Sequence, residues 1–215
     1  MKTNQPLAIL TGLLALVSLA SAPAGASVPG YEDIHFQVLR NGTPFGEHIV
    51  RFSQNEAGEL VVDIDIELKV QFGPLLVFHY TQDAEETWQE DELVSLTAQT
   101  LRGGRRYAVE IDRTPDSASQ PERDSLADLQ PSSHWRGYTP GTETILNTET
   151  GEPMPVVIED LGTDEFETAN GLVSARRLRM TGTLSVDLWY DSDGTWIGCE
   201  FEAQGQTIRY VLASA

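Results

Sequence analysis

Cysteine is almost absent from this chain, with Cys199 alone among 215 residues, and basic residues are scarce: 14 Lys and Arg stand against 33 Asp and Glu, for a net charge of −19. A lone cysteine excludes an internal disulfide, and its place in an apolar strand segment marks it as a small buried hydrophobe. So few cations exclude nucleic acid as a partner and set the chain as a whole against anionic surfaces. Long apolar runs are missing apart from Leu7 to Ala20. That run falls short of the ~20 residues a membrane-spanning helix needs, so no transmembrane segment is expected in the mature chain. With Lys2 before it and Ala24-Gly25-Ala26 after it, the run reads as a secretory signal peptide over residues 1–26. No cysteine stands near the cleavage point to take a lipid, so a periplasmic protein rather than a lipoprotein is expected. Helical periodicity of 3.6 residues is lacking over any window of useful length, and no Gly-x-Ser-x-Gly elbow occurs.

What the chain does have is short strands separated by turns. Leu184 to Leu212 reads as a three-stranded meander, in which Leu184, Val186 and Leu188, then Ile197, Cys199 and Phe201, share core-facing positions by the two-residue period. Asn41-Gly42 suits the two left-handed positions of a tight hairpin. If those two residues are the central pair, His35 faces His48 across the strands with Asp33 nearby, unless the register slips at Gly46; two histidines are an incomplete metal site, and no metal or other cofactor is expected. Leu60 to Val70 alternates, with Asp63, Asp65 and Glu67 on its wet face. Further strands follow from Leu75 to Thr87, and from Leu93 to Leu101 and Arg105 to Ile111 around Gly103-Gly104. The pattern predicts an all-β fold: a single curved antiparallel sheet or open half-barrel of roughly ten strands, built from hairpins and a C-terminal meander. Residues 27–215 form one domain, with a long loop over 114–131 rich in Pro, Ser and acidic residues.

Two sets of side chains are candidates for a site. Phe72, Phe78, Tyr80, Trp88, Trp135, Trp189, Tyr190 and Trp196 supply aromatic surface that either lines a cavity for a ligand or fills the core. His134, between two serines and Trp135 and beside the long loop, is a candidate general base if a carboxylate such as Asp191 or Glu86 orients it.

Glu86-Thr-Trp88 with Glu92-Leu93, Ser133-His134-Trp135, the Asn147-Thr-Glu-Thr-Gly151 turn, and Leu188-Trp-Tyr-Asp191 with Gly194 and Trp196 together resemble a family of uncharacterised exported bacterial proteins. The resemblance implies a single antiparallel β domain in a Gram-negative envelope and carries over no catalytic residues. A more remote likeness, of architecture only, is to half-barrels that carry lipids or lipoproteins across the periplasm. The leading expectation is a non-enzymatic module that binds an apolar or amphipathic ligand, or an envelope partner, in the hollow of the sheet. The alternatives are a hydrolase using His134, and an assembly or scaffold protein that recruits a partner strand at an uncharged sheet edge. The sequence leaves the oligomeric state and any ligand's identity open.

Overall fold

Left-handed turn residues set the path of the chain. Asn41 and Gly42 have φ of 48° and 76°, Gly103 and Gly104 57° and 77°, and Gln204 and Gly205 53° and 72°; each pair closes a two-residue hairpin whose twist matches that of its strands. The structure, a computed structural model, describes residues 28, 30–113, 128–183 and 185–213. The predicted signal segment and most of the predicted loop, residues 114–127, lie outside the described residues.

The strands are β1 (Ile34–Arg40), β2 (Thr43–Gln54), β3 (Leu60–Phe72), β4 (Leu75–Gln89), β5 (Glu92–Arg102), β6 (Arg105–Asp112), β7 (Thr144–Leu146), β8 (Pro153–Pro155), β9 (Val157–Thr168), β10 (Gly171–Thr181), β11 (Val186–Tyr190), β12 (Trp196–Ala203) and β13 (Gln206–Leu212). Eleven of them form one antiparallel sheet in the order β6-β5-β4-β3-β2-β1-β13-β12-β11-β10-β9, and β7 pairs with β8 in a small second sheet. The large sheet is two meanders joined where β1 pairs with β13. Its outermost strands, β6 and β9, do not pair with each other, so the half-barrel stays open. The predicted hairpins and C-terminal meander are all present. The main sheet has eleven strands, in line with the roughly ten expected, and Val157 to Thr168 forms one long strand at its edge.

One face of this sheet carries the main core. Phe36, Val50, Val62, Leu96, Leu188 and Trp196 lie on it, and residues 128–156 cross over it, burying Trp135, Tyr138, Ile145, Leu146 and Val156 in the same cluster. A smaller apolar cluster, of Phe166, Ala175, Trp189 and Ile197, sits on the outer face. It forms because β12 bulges: Trp189 pairs with Gly198 and Tyr190 with Trp196, leaving Ile197 as the extra residue. The alternation expected for Ile197, Cys199 and Phe201 therefore fails at Ile197, which faces outward while Cys199 and Phe201 face the core. Gly198 leaves room for the Phe166 ring, which a Cβ there would meet at 2.3 Å.

A second bulge decides the fate of the two histidines. The register shifts between Val38 and Leu39, with Val38 opposite Gly46 and Leu39 opposite Pro44, so Phe45 is the extra residue. Only glycine fits at position 46, because a Cβ would lie 2.0 Å from the Glu67 carbonyl oxygen. His48 thus pairs with Phe36 and turns inward, while His35 pairs with Ile49 and turns out to meet Glu47 at 3.2 Å. The facing His35–His48 pair does not form, since strand neighbours point to opposite faces.

Candidate binding cavity beneath the crossing segment

The inner face of β4 breaks the apolar pattern twice. Tyr80, Gln82, Ala84, Glu86 and Trp88 share its inward phase, so an amide and a carboxyl enter a core where either must find partners. Gln82 donates to Thr100 on β5 at 3.1 Å. Glu86, fully buried, accepts at Oε2 from the indole N–H groups of Trp88 and Trp135, each at 2.9 Å. Burial pushes its carboxyl pKa up, against the opposing pull of Trp135, Ser133, Trp88 and Arg136. Ser133 lies near enough to favour the charged form, but Oε1 makes no hydrogen bond of ordinary geometry.

This carboxyl is where the crossing segment is pinned. Trp135 packs edge-on against Phe52 at 5.3 Å and Trp88 at 5.9 Å, with Tyr31 at 6.0 Å. The Arg136 guanidinium lies 4.3 Å over the Trp88 ring and pairs with Asp91. The next anchor is His134, whose backbone has the left-handed φ of 70° that costs a non-glycine residue about 1–2 kcal/mol. Tyr190 holds it there by donating from its hydroxyl to the His134 carbonyl at 2.9 Å. Further along, the Asn147 side chain accepts from the N–H groups of Glu149 and Thr150, and Ser132 bonds Thr148, closing the turn that leads into β8.

Away from the pinned end, the segment leaves space above the sheet. A cavity of about 450 Å³ lies between residues 132–134 and 147–156 and the inner faces of β2–β5 and β10–β13. His48, Tyr80, Gln82 and His134 line it beside Met154 and Met180. His48 is 3% exposed, and neither of its ring nitrogens has a hydrogen-bond partner. It is held among the rings of Trp196 at 5.2 Å, Tyr210 at 5.7 Å and Phe36 at 6.1 Å. Burial, with a smaller effect from neighbouring His134, drives its pKa down to about 3, and burial drives that of His134 to about 4. Burial also raises the Tyr80 and Tyr210 hydroxyls and the Cys199 thiol. The buried part of the wall, around His48, Tyr80 and His134, is therefore polar but uncharged at neutral pH, and the charged lining residues are Arg102, Glu149 and Glu152. At its rim Arg102 pairs with Glu149 at 2.9 Å.

The hydrolase constellation is not assembled among the described residues. His134 Nδ1 lies 2.7 Å from the Tyr138 hydroxyl rather than from a carboxylate. Asp191 accepts from the N–H groups of Asp193 and Thr195 and so builds the β11–β12 turn. Glu86 is committed to two indoles. Of the aromatic candidates, Tyr80 and Trp196 line the cavity; Trp88, Trp135 and Tyr190 hold the crossing segment; Trp189 faces outward under Phe166 at 4.6 Å; and Phe78 is half-exposed at a hairpin tip. A second groove, of about 640 Å³, adjoins Trp88, Tyr190 and Asp191, but its walls carry the paired charges Arg136–Asp91 and Arg113–Asp128.

The sequence profile described as "Domain of unknown function (DUF6134)" matches residues 36–213, from the third residue of β1 to just past β13. The chain belongs to the DUF6134 family. The DUF6134 fold is similar to the crystal structure of a β-barrel-like protein of the domain of unknown function DUF1849 from Brucella abortus, over 85% of this chain and 95% of that one, with a TM-score of 0.50 and 8% sequence identity. At that identity the likeness concerns the fold alone. No curated protein matches the chain. The motifs by which the chain resembled an uncharacterised β family meet, in this DUF6134 protein, around the crossing segment: Glu86 and Trp88 touch Trp135, Tyr190 touches His134, and the 147–151 turn closes the cavity. The lining that the aromatic reading missed is His48, Gln82, Met154 and Met180. A readable signal existed for Gln82, a polar residue in the apolar phase of an alternating strand.

Proposed function

We propose that this protein is a non-enzymatic binding module of the cell envelope that holds a small amphipathic molecule, uncharged in its buried part, in the cavity beneath the crossing segment. The observation that carries this reading is His48, a buried imidazole with both nitrogens unpartnered on the wall of a space of about 450 Å³. Pockets of ~300–1,000 Å³ suit small ligands, and a buried polar group left without a partner costs about 1–3 kcal/mol that a ligand hydroxyl or amide recovers. The methionines opposite, Met154 and Met180, offer adaptable apolar surface for the rest of the molecule. Strand recruitment is less favoured, because both sheet edges are charged: β6 carries Arg105, Arg106, Glu110 and Asp112, and β9 carries Glu159, Asp160, Asp164, Glu165 and Glu167.

Native mass spectrometry of protein purified without detergent tests the reading, with monoacylglycerol as the added uncharged amphiphile. The expected result is a bound small molecule, or stoichiometric uptake of the probe, that is lost when Met154→Trp fills the cavity. An unliganded mass that takes up no probe, or uptake unchanged by Met154→Trp, contradicts it.

A further inference from the structure

The β3–β4 hairpin outgrows the sheet. Pairing of β2 with β3 stops at Gly46 and Leu68, and pairing of β4 with β5 begins at Tyr80 and Arg102. Residues 69–79 therefore stand beyond both neighbours as a two-stranded finger, about 13 Å long at ~3.3 Å per residue. Its turn is Gly73-Pro74, and the four residues after it are apolar and exposed: Leu75 60%, Leu76 48%, Val77 56% and Phe78 39%. Alternation puts these four on both faces of the finger, and none of them is buried by the described residues. Phe78 rests against Phe45 at the base, at 5.4 Å.

The charges around the finger differ from those of the rest of the chain. Arg40, Lys69, Arg102, Arg105 and Arg106, five of the 14 basic residues, lie on the finger or on the hairpins at its sides; Lys69 and Arg102 are in ion pairs, so the cations without one among the described residues are Arg40, Arg105 and Arg106. The acidic groups at its base are engaged: Glu67 with Lys69 at 3.0 Å and with His79 at 3.7 Å, Glu47 with His35, and Glu149 with Arg102. Arg105 and Arg106 are exposed and have no ion pair among the described residues. The Arg40 guanidinium lies 5.6 Å over the Phe45 ring.

We propose that this end of the molecule docks on an anionic phospholipid bilayer, with Leu75 to Phe78 entering the boundary between headgroups and acyl chains and the arginines meeting lipid phosphates. An apolar tip ringed by cations matches the layering of such a surface, in which side chains bury ~5–10 Å deep. The net charge of −19 argued against anionic surfaces on the average of the whole chain. With a Debye length of ~8 Å at physiological salt, the local patch decides the contact. This docking does not depend on the cavity being occupied.

The test is flotation of the full chain with vesicles of phosphatidylcholine containing phosphatidylglycerol, compared with phosphatidylcholine alone, at low and physiological salt. Wild-type protein is expected to float with the anionic vesicles and to lose binding as salt rises. Leu76→Asp with Val77→Asp weakens binding by about tenfold or more, since each apolar side chain withdrawn from the bilayer is worth roughly that factor. Arg105→Glu with Arg106→Glu removes the preference for anionic lipid. Because variants and wild type share the same N-terminal segment, their difference reports the finger. In a second measurement, a polarity-sensitive dye on Val77→Cys shifts to the blue on anionic vesicles, Cys199 being buried and unlabelled. Wild type that floats with neither vesicle, a tip variant that floats as well as wild type, or a dye that does not shift overturns the proposal.

Discussion

The two ends of the half-barrel's hollow are finished in opposite ways. At one end the crossing segment is fastened: Trp135 and Trp88 share the Glu86 carboxylate, Arg136 caps the indoles, and Tyr190 fixes His134. At the other end the same segment stands off the sheet over His48, Gln82 and Met180, beside an apolar finger. Polar groups at the fastened end satisfy one another, apart from Glu86 Oε1, and hold structure; at the open end Gln82 bonds Thr100, but both ring nitrogens of His48 are left without a partner. Burial of polar side chains is common to both. What separates them is whether a partner within the chain is supplied.

Four changes bear on that contrast. Trp135→Ala removes the largest anchor and should destabilise the fold by about 3–5 kcal/mol in denaturant unfolding; a loss below about 1 kcal/mol would erase the distinction between the ends. Acid titration comes next. His48 and His134 are held at about 3 and about 4, below an ordinary 6.5, so the unfolded chain takes up protons that the folded chain refuses. Stability present above pH 6.5 should fall as the pH drops toward 4, by about 1.4 kcal/mol per unit of depression for each group and several kcal/mol in all. Glu86, with its pKa raised, acts the other way: its contribution is greatest below the ordinary carboxylate range and declines as pH rises. His48→Phe separates the two effects. It should flatten the acid limb and raise stability at pH 7 by about 1–2 kcal/mol, while abolishing uptake of the amphiphile. Smallest of all, Leu76→Asp in the finger should change unfolding free energy by no more than about 0.5 kcal/mol, because nothing in the fold rests on it.

Much of this architecture was legible in the residues. Asn41-Gly42 and Gly103-Gly104 announce their hairpins through left-handed conformations that few other pairs adopt, and the alternation of Leu60 to Val70 gives its inner face directly. The bulges were harder. At Gly46 and Gly198 the deciding fact is a close approach of chain segments distant in sequence, the Glu67 carbonyl in one case and the Phe166 ring in the other. At Gly46 the glycine itself marks a place where the register can slip, and the facing of His35 and His48 is conditional on no slip there, whereas no local pattern encodes the bulge that turns Ile197 away from Cys199. Among the aromatic residues, size marked them as important but not their roles: Trp88, Trp135, Trp189 and Trp196 serve two anchors, an outer cluster and a cavity wall. Glu86 drew notice as a possible catalytic acid, whereas its neighbours show a carboxyl that receives two indoles.

The central claim, that the space above His48 is a ligand site and not a packing defect, is tested most directly by long-range ¹H–¹⁵N NMR of the histidine side chains. The spectra would be recorded with and without monoacylglycerol across pH 4 to 8. The account predicts a His48 ring that stays neutral down to the most acidic point, and whose nitrogens shift on addition of the amphiphile because one of them gains a hydrogen bond. A ring that titrates near 6.5, or one whose nitrogens ignore a saturating amphiphile, would show that the site is wet or merely empty, and would contradict the claim.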